Sequence, residues 1–363
     1  MWRVDLTTNF VTNEEIVQEA RRRLGQGPWD YLCGASESET TMRRNRLAFD
    51  RIAFRPRVLV DVSNPDTSTV FMGHNMRIPV VIAPVGSLQV FIPEGGVAAT
   101  KAAGEFGIVH VVSSVTEPSL EETSAATDSP KIFQLYIHGD WDWTKEMIDR
   151  AKNAGYKGLC ITVDTANYSR RERPLLTRWL PVSQRTPRDP KWSASVTWES
   201  IDRIKEYAGL PFMLKGIASG ADAALAMEHG VDVIWVSNHG GRQLDHGLGT
   251  MEMLPEIVDA VDGKAEIVVD GGVQRGSDVL KAIAMGAKTV SIGKLQGWGL
   301  AANGTPGLVR VLEILQEEIR VGMGLMGVTS IDQLSPSYVC KAEAVTQPHE
   351  MSAWVNMPEG RIT

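Results

Sequence analysis

A (β/α)8 barrel, the TIM-barrel fold, is the architecture this sequence predicts, and three observations carry the prediction. From residue 78 onward, eight short runs rich in Val, Ile and aromatic residues alternate with amphipathic stretches. Each run is almost continuously apolar, as suits parallel strands covered on both faces. Polar side chains then recur where the runs end. Eight strands each followed by a helix is the count of that barrel. A doubly wound open sheet is the alternative. It would want a GxGxxG turn after its first strand, and residues 78–86 offer only Ala-Pro-Val-Gly.

Taken in order, residues 1–77 precede the barrel. Thr12-Asn13-Glu14-Glu15 is a capping box opening a helix that continues through Arg23. Pro28 starts a second short helix at Trp29-Asp30-Tyr31. The region is short and offers few core residues, so it reads as a helical cap and not a separate domain. The barrel is expected over 78–331, with strands at 78–83, 109–114, 131–137, 158–165, 211–217, 231–237, 265–270 and 289–293. Helices are expected at 96–106, 119–126, 143–154, 198–208, 221–229, 251–261, 277–285 and 307–321. The longest insertion, 169–196, follows the fourth strand and is rich in Arg, Pro and Trp. A loop this long in a compact domain is usually functional or mobile, so it reads as a lid. Residues 332–363 form a C-terminal tail to what is otherwise a single domain.

The chain has 363 residues, within the size of one such barrel. A net charge of -7 and a pI near 5.6 leave no basic footprint for nucleic acid. No apolar run reaches the roughly 18 residues of a spanning helix, and residues 1–9 lack the apolar core of a signal peptide. The 169–196 insertion carries Arg178, Arg185, Arg188, Asp189 and Lys191 and no long apolar face, which speaks against membrane docking. Cys33, Cys160 and Cys340 show no CxxC pairing, pointing to a reduced, cytoplasmic setting with thiols as core filler. The histidines show no ligand spacing, so no metal is expected.

Catalytic groups in such barrels sit at the C-terminal strand ends. Those ends carry Pro84-Val85-Gly86, Ser113, Gln134 with Tyr136, Thr162 with Asp164, Lys215, and His239 with Arg242. The last two carry Asp270-Gly271-Gly272 and Gly293-Lys294. The stretch 237–245, Ser-Asn-His-Gly-Gly-Arg-Gln-Leu-Asp, puts a base and a fixed cation three residues apart on one loop. A base beside a carboxylate clamp is what proton removal next to a carboxylate requires. Glycine-rich turns after the last two strands, each running into a helix, are where barrels bind phosphate. Lys215 is open to three roles: a Schiff base, a carboxylate partner, or a stabiliser of negative charge on a cofactor ring.

These motifs, with Phe133-Gln134-Leu135-Tyr136, Thr162-Val163-Asp164-Thr165, Arg170-Arg171-Glu172 and Leu214-Lys215-Gly216, make the chain resemble the FMN-dependent α-hydroxy acid oxidases and dehydrogenases from about residue 16 to 331. The resemblance implies FMN as cofactor, a 2-hydroxy acid as substrate and a 2-oxo acid as product, with electrons passing to oxygen or another acceptor. It implies His239 as the base, Asp164 as its support, and Arg171 and Arg242 as the carboxylate clamp, with Tyr31 helping. Tyr136 would bond the substrate hydroxyl, while Val115 and Tyr168 would border the substrate. Pro84, Val85, Gly86, Ser113, Gln134, Thr162 and Ser237 would line the flavin, with Lys215 at its N1 edge. Asp270, Gly271, Gly272, Gly293 and Lys294 would hold the ribityl and phosphate end. The resemblance also implies a homotetramer.

The chain departs from that pattern in four places. Gln274 and Lys294 stand where the family supplies arginines, which weakens bidentate phosphate contacts unless Arg275 substitutes. Val115 replaces a bulky aromatic, implying room for a larger substrate. Gly86 replaces an alanine near flavin N5, which leaves the electron acceptor open. Two further readings stand beside the first: a specialised flavin enzyme acting on a modified or peptide-derived substrate, and a non-redox phosphate-binding barrel isomerase.

Overall fold

The computed structural model describes residues 10–185, 189–345 and 347–356, without the side chains of Val182 and Ser183. Residues 1–9, Arg188 and the tail residues 357–363 therefore lie outside the described residues.

The expected barrel is present. Its strands are β1 (Val80–Ile82), β2 (His110–Ser113), β3 (Lys131–Leu135), β4 (Leu159–Thr162), β5 (Phe212–Ile217), β6 (Val233–Val236), β7 (Glu266–Val269) and β8 (Thr289–Ile292). They pair in parallel in chain order, and β8 closes back on β1. All four residues of β2, β4, β6 and β8 are buried, which explains why the sequence shows continuous apolar runs and not alternation. Register sets the polar strand ends side by side: Ser113 pairs with Gln134 and Thr162 with Lys215. Between Lys215 and Ile217 the β5–β6 register slips by one residue at Gly216. A hairpin, Thr69–Phe71 with His74–Met76, lies at the opposite end, where the Met72 N–H donates to Glu266 at 2.8 Å.

Three expectations need correction. The region before the barrel is not poor in core residues: Ile16, Val17, Ala20, Trp29, Leu32, Met42 and Phe49 are all buried. The helix Asn13–Arg23 packs along the C-terminal helix, so the cap shares the barrel's core. The helix after β8 begins at Lys294, not at 307, and runs to Met326 with a break at Asn303 and Gly304. Gly297, Gly299 and Pro306 had disguised its first half, since all three lower helix propensity. Finally, Cys33 and Cys160 are buried but Cys340 is exposed. It sits on Val339–Lys341, a strand pairing antiparallel with Ile52–Phe54.

The segment 169–196 contains three short helices, Glu172–Leu176, Val182–Arg185 and Lys191–Ala194. The C-terminal residues 347–356 pack back onto the molecule and bury Glu350, Met351 and Trp354. Among the described residues, no helix is long and apolar enough to cross a membrane.

Candidate active site

His239 reaches its position through an unusual backbone. After β6 the chain passes through His239 (φ 58°), Gly240 (φ 66°) and Gly241 (φ 77°) in the left-handed region. Glycine is needed at 241 for space as well: a Cβ there would stand 2.5 Å from the Met42 backbone nitrogen. For His239, left-handed φ stores strain on the order of 1–3 kcal/mol, held by its surroundings. Its N–H donates to Ser237 Oγ at 3.0 Å, and Nδ1 lies 3.0 Å from Asp164 Oδ1. Asp164 stands two residues past β4 and packs against Gly216, where a Cβ would come within 2.7 Å of Asp164 Cβ. The register slip and the absent side chain at Gly216 thus let the carboxylate reach the imidazole.

The electrostatics of the pair follow from burial and neighbours. Burial pushes the His239 imidazole below its ordinary value, against the opposing pull of Asp164, so the ring is neutral at pH 7. Burial alone would raise the Asp164 carboxyl, but His239 and Lys215 outweigh it and hold it below the usual range. Asp164 Oδ2 is buried without a partner, available to an imidazolium that shifts toward it. Tyr136 Oη lies 3.5 Å from His239 Nε2, and burial raises the phenol far enough to keep it protonated.

Two guanidiniums face the same space. Arg242 Nη1 donates to the carbonyls of Tyr31 and Gly34 at 2.6 and 2.7 Å, and its guanidinium lies 5.0 Å from the Tyr31 ring centroid. Arg171 Nε donates to the Arg242 carbonyl at 3.1 Å, and its guanidinium stacks 4.5 Å over Tyr168. Burial and Arg171 lower Arg242 to about 10, so it remains charged at neutral pH. Arg170, by contrast, turns outward to Glu172.

The cavity in front of these groups has a volume of about 560 Å³. Pro84, Val85, Gly86, Val115 and Tyr136 line one wall; Tyr31, Tyr168, Arg171, Arg242 and His239 line another. Lys215, Asp270, Gly271, Gly272, Gly293 and Lys294 complete it. Ser113, Gln134, Thr162 and Ser237 do not line the cavity but are buried at the ends of the strands that do. Gln134 Nε2 donates to Thr162 Oγ1 at 2.9 Å, and Lys215 Nζ donates to Ser237 Oγ at 3.0 Å. Burial works against charge on Lys215, but Asp270, 3.4 Å away, and Asp164 outweigh it, and the ammonium persists. Trp179 packs against Tyr31, with ring centroids 5.7 Å apart.

At the far end, Gly271 (φ 89°) and Gly272 (φ 95°) carry the chain past Asn45. Gln274 is buried, with Oε1 unpaired. Arg275 does not substitute for the missing arginine. It pairs with Glu318 at 2.7 Å, donates to the Ala353 carbonyl and stacks on Trp354. Sequence reasoning missed Met42, Asn45, Arg46 and Glu350, which also line this end. Arg46 donates to the Gly272 carbonyl at 2.5 Å and pairs with Asp278 at 2.8 Å. Asn45 trades hydrogen bonds with Asn238 at 2.7 and 3.0 Å. The one local signal was the polar face of the helix Thr40–Asp50, which looks like a solvated surface until the barrel mouth is placed beneath it.

The residues fit a flavin. Buried Gln134 Oε1 and Ser291 Oγ have no partners among the described residues, as expected of groups meant for the edge of a polar ring system and its chain. Comparison with known proteins agrees. Residues 20–341 match the FMN-dependent dehydrogenase family. The chain belongs to that family. Its cofactor is FMN. It is 39% identical to an L-lactate oxidase from Nostoc sp., over 90% of this chain and 96% of that protein. It is 38% identical to 2-hydroxyacid oxidase 2 from Rattus norvegicus, over 88% of this chain and 95% of that one. A crystal structure of mandelate oxidase superposes with a TM-score of 0.86 at 35% identity, covering 93% of this chain and all of the other. A mandelate oxidase variant carrying a C4a-OH-FMN adduct superposes at 0.83.

Proposed function

We propose that this protein oxidises an (S)-2-hydroxy acid to the 2-oxo acid and passes the electrons to oxygen, giving hydrogen peroxide. The observation that carries the reading is that His239, held by Asp164, opens onto the same cavity as Arg171 and Arg242. The two guanidiniums grip the substrate carboxylate and fix its α-carbon. Positioning of this kind is worth up to ~7–11 kcal/mol of the barrier. Tyr136 donates to the substrate hydroxyl, and neutral His239 accepts a proton at Nε2. As charge develops on the ring, Asp164 stabilises it from the Nδ1 side. Lys215, cationic and buried, would favour negative charge on a flavin held in this cavity. FMN would supply the two-electron acceptor. The substrate loses two electrons and two protons, and oxygen takes up both electrons and both protons as hydrogen peroxide. The non-redox isomerase reading leaves the paired guanidiniums without a purpose.

A second feature bears on the substrate. Val115, Phe91, Leu175 and Leu180 line the cavity beyond the clamp, and Tyr168 is 57% exposed at its rim. That apolar space favours a substrate whose side chain is larger than that of glycolate or lactate. The test is a panel of (S)-2-hydroxy acids of rising side-chain size. kcat/KM should rise with size, and a clear optimum at glycolate defeats this part of the reading.

A further inference from the structure

The C-terminal residues 347–356 place a carboxylate in the cavity wall beside Gln274. Glu350 is 5% exposed and lines the cavity at the same end as Lys294 and Gln274. Its position is built. Arg173 Nη2 donates to Glu350 Oε1 at 2.6 Å, and Gln274 Nε2 donates to the Glu350 carbonyl at 2.7 Å. Arg173 also pairs with Glu39. Lys294 Nζ meets neutral atoms, the Cys33 carbonyl at 2.6 Å and Met42 Sδ at 2.7 Å. Burial lowers its pKa to about 8.

The cations around this end are matched by carboxylates before any phosphate arrives. Arg46 pairs with Asp278 and Asp50, Arg173 pairs with Glu350 and Glu39, and His349 Nε2 lies 3.1 Å from Glu350 Oε2. Arg275 is engaged elsewhere, on Glu318. A phosphate would add up to two negative charges beside a buried carboxylate, and like charges in a poorly solvated site repel strongly. The backbone amides of the turns are neutral, and Gln274, whose Nε2 is spent on the Glu350 carbonyl, leaves only the acceptor Oε1 unpaired, so this end offers a phosphate less than a guanidinium fork does.

We propose that Glu350 is a cofactor-selectivity residue: carried by the C-terminal segment, its carboxylate opposes the flavin phosphate and reduces the advantage of FMN over unphosphorylated riboflavin. The proposal rests on the flavin occupying this cavity and is independent of which hydroxy acid is oxidised.

The test is titration of the full-length apo-protein with FMN and with riboflavin, followed by flavin fluorescence. A phosphate held by two guanidinium contacts would give FMN a preference on the order of a hundredfold or more. The unsubstituted protein is expected to fall below a hundredfold. E350Q, which keeps shape and hydrogen-bonding capacity, is expected to tighten FMN by about tenfold or more while riboflavin stays within about twofold. A preference above a hundredfold in the unsubstituted protein overturns the proposal without any variant. So does an E350Q protein that binds FMN no more tightly, or that tightens both flavins alike.

Discussion

Gly86 and Val115 adjoin each other in the cavity wall: a Cβ on Gly86 would stand 2.7 Å from Val115 Cγ2. The two departures from the family pattern are therefore neighbours in space. With Val115 in its observed position, a methyl at 86 would collide with it. G86A should cost about 1–3 kcal/mol of stability through overpacking, and V115A placed on top should recover most of it. Thermal unfolding of the two single variants and the double variant measures the coupling. Additive losses would show the contact to be incidental.

Asp164 is expected to act through His239. D164N should slow flavin reduction by about 10²–10⁴-fold while substrate affinity changes little. The carboxylate also holds the imidazole pKa up, so its loss should move the acid limb of the rate profile to lower pH. Rapid-reaction measurement across pH reads both effects. A slower plateau with an unshifted limb would argue against direct support.

The pH profile of the unsubstituted protein follows from the direction of the His239 shift. The base must be neutral to accept a proton, and its pKa lies below the ordinary 6.5. Flavin reduction should therefore be flat between about pH 7 and 9 and fall as pH drops through that lowered value. A limb rising above pH 7 would mean that the base is something other than this histidine.

The clamp is predicted to bind and orient. Arg242 holds two carbonyls and Arg171 one, geometry that an ammonium does not reproduce. R171K and R242K should each raise KM by about ten- to a hundredfold, with a smaller fall in kcat. Steady-state kinetics on a good substrate separate the two terms.

Stability offers an independent check on how the cap is tied to the barrel. Asp278 accepts from Arg46 at 2.8 Å and from the backbone N–H groups of Gln274 and Arg275. Both Arg46 and Asp278 are buried. D278A should destabilise by about 3 kcal/mol, since it takes the nearer carboxylate from a buried cation and leaves it only Asp50, 3.7 Å away. E121A breaks the half-exposed Arg150–Glu121 pair and should cost about 0–1 kcal/mol. Urea unfolding of both variants sets the comparison.

The barrel and its polar strand ends were legible because their signals are local, whereas the pairing of Asp164 with His239, 75 positions apart, came only from the family resemblance. Continuous apolar runs mark buried parallel strands, and the side chains just past each run mark the mouth. What lay beyond reach was long-range. Nothing near Glu350 in the sequence says that it meets Arg173, 177 positions earlier. Nor does anything near Arg46 point to its partner Asp278, 232 residues away. The helix from Lys294 was hidden by glycines that pack closely: at Gly297 a Cβ would strike Leu32. The sequence pattern read those glycines as breakers, whereas the fold uses them as contact points.

The most direct test of the account is anaerobic mixing of the FMN-loaded protein with (S)-2-hydroxy acids while flavin absorbance is followed. The account predicts rapid bleaching by at least one acid, and about 10²–10⁴-fold slower bleaching in H239Q with substrate still bound. Bleaching of H239Q at the original rate, or no bleaching by any acid of the panel, would contradict it.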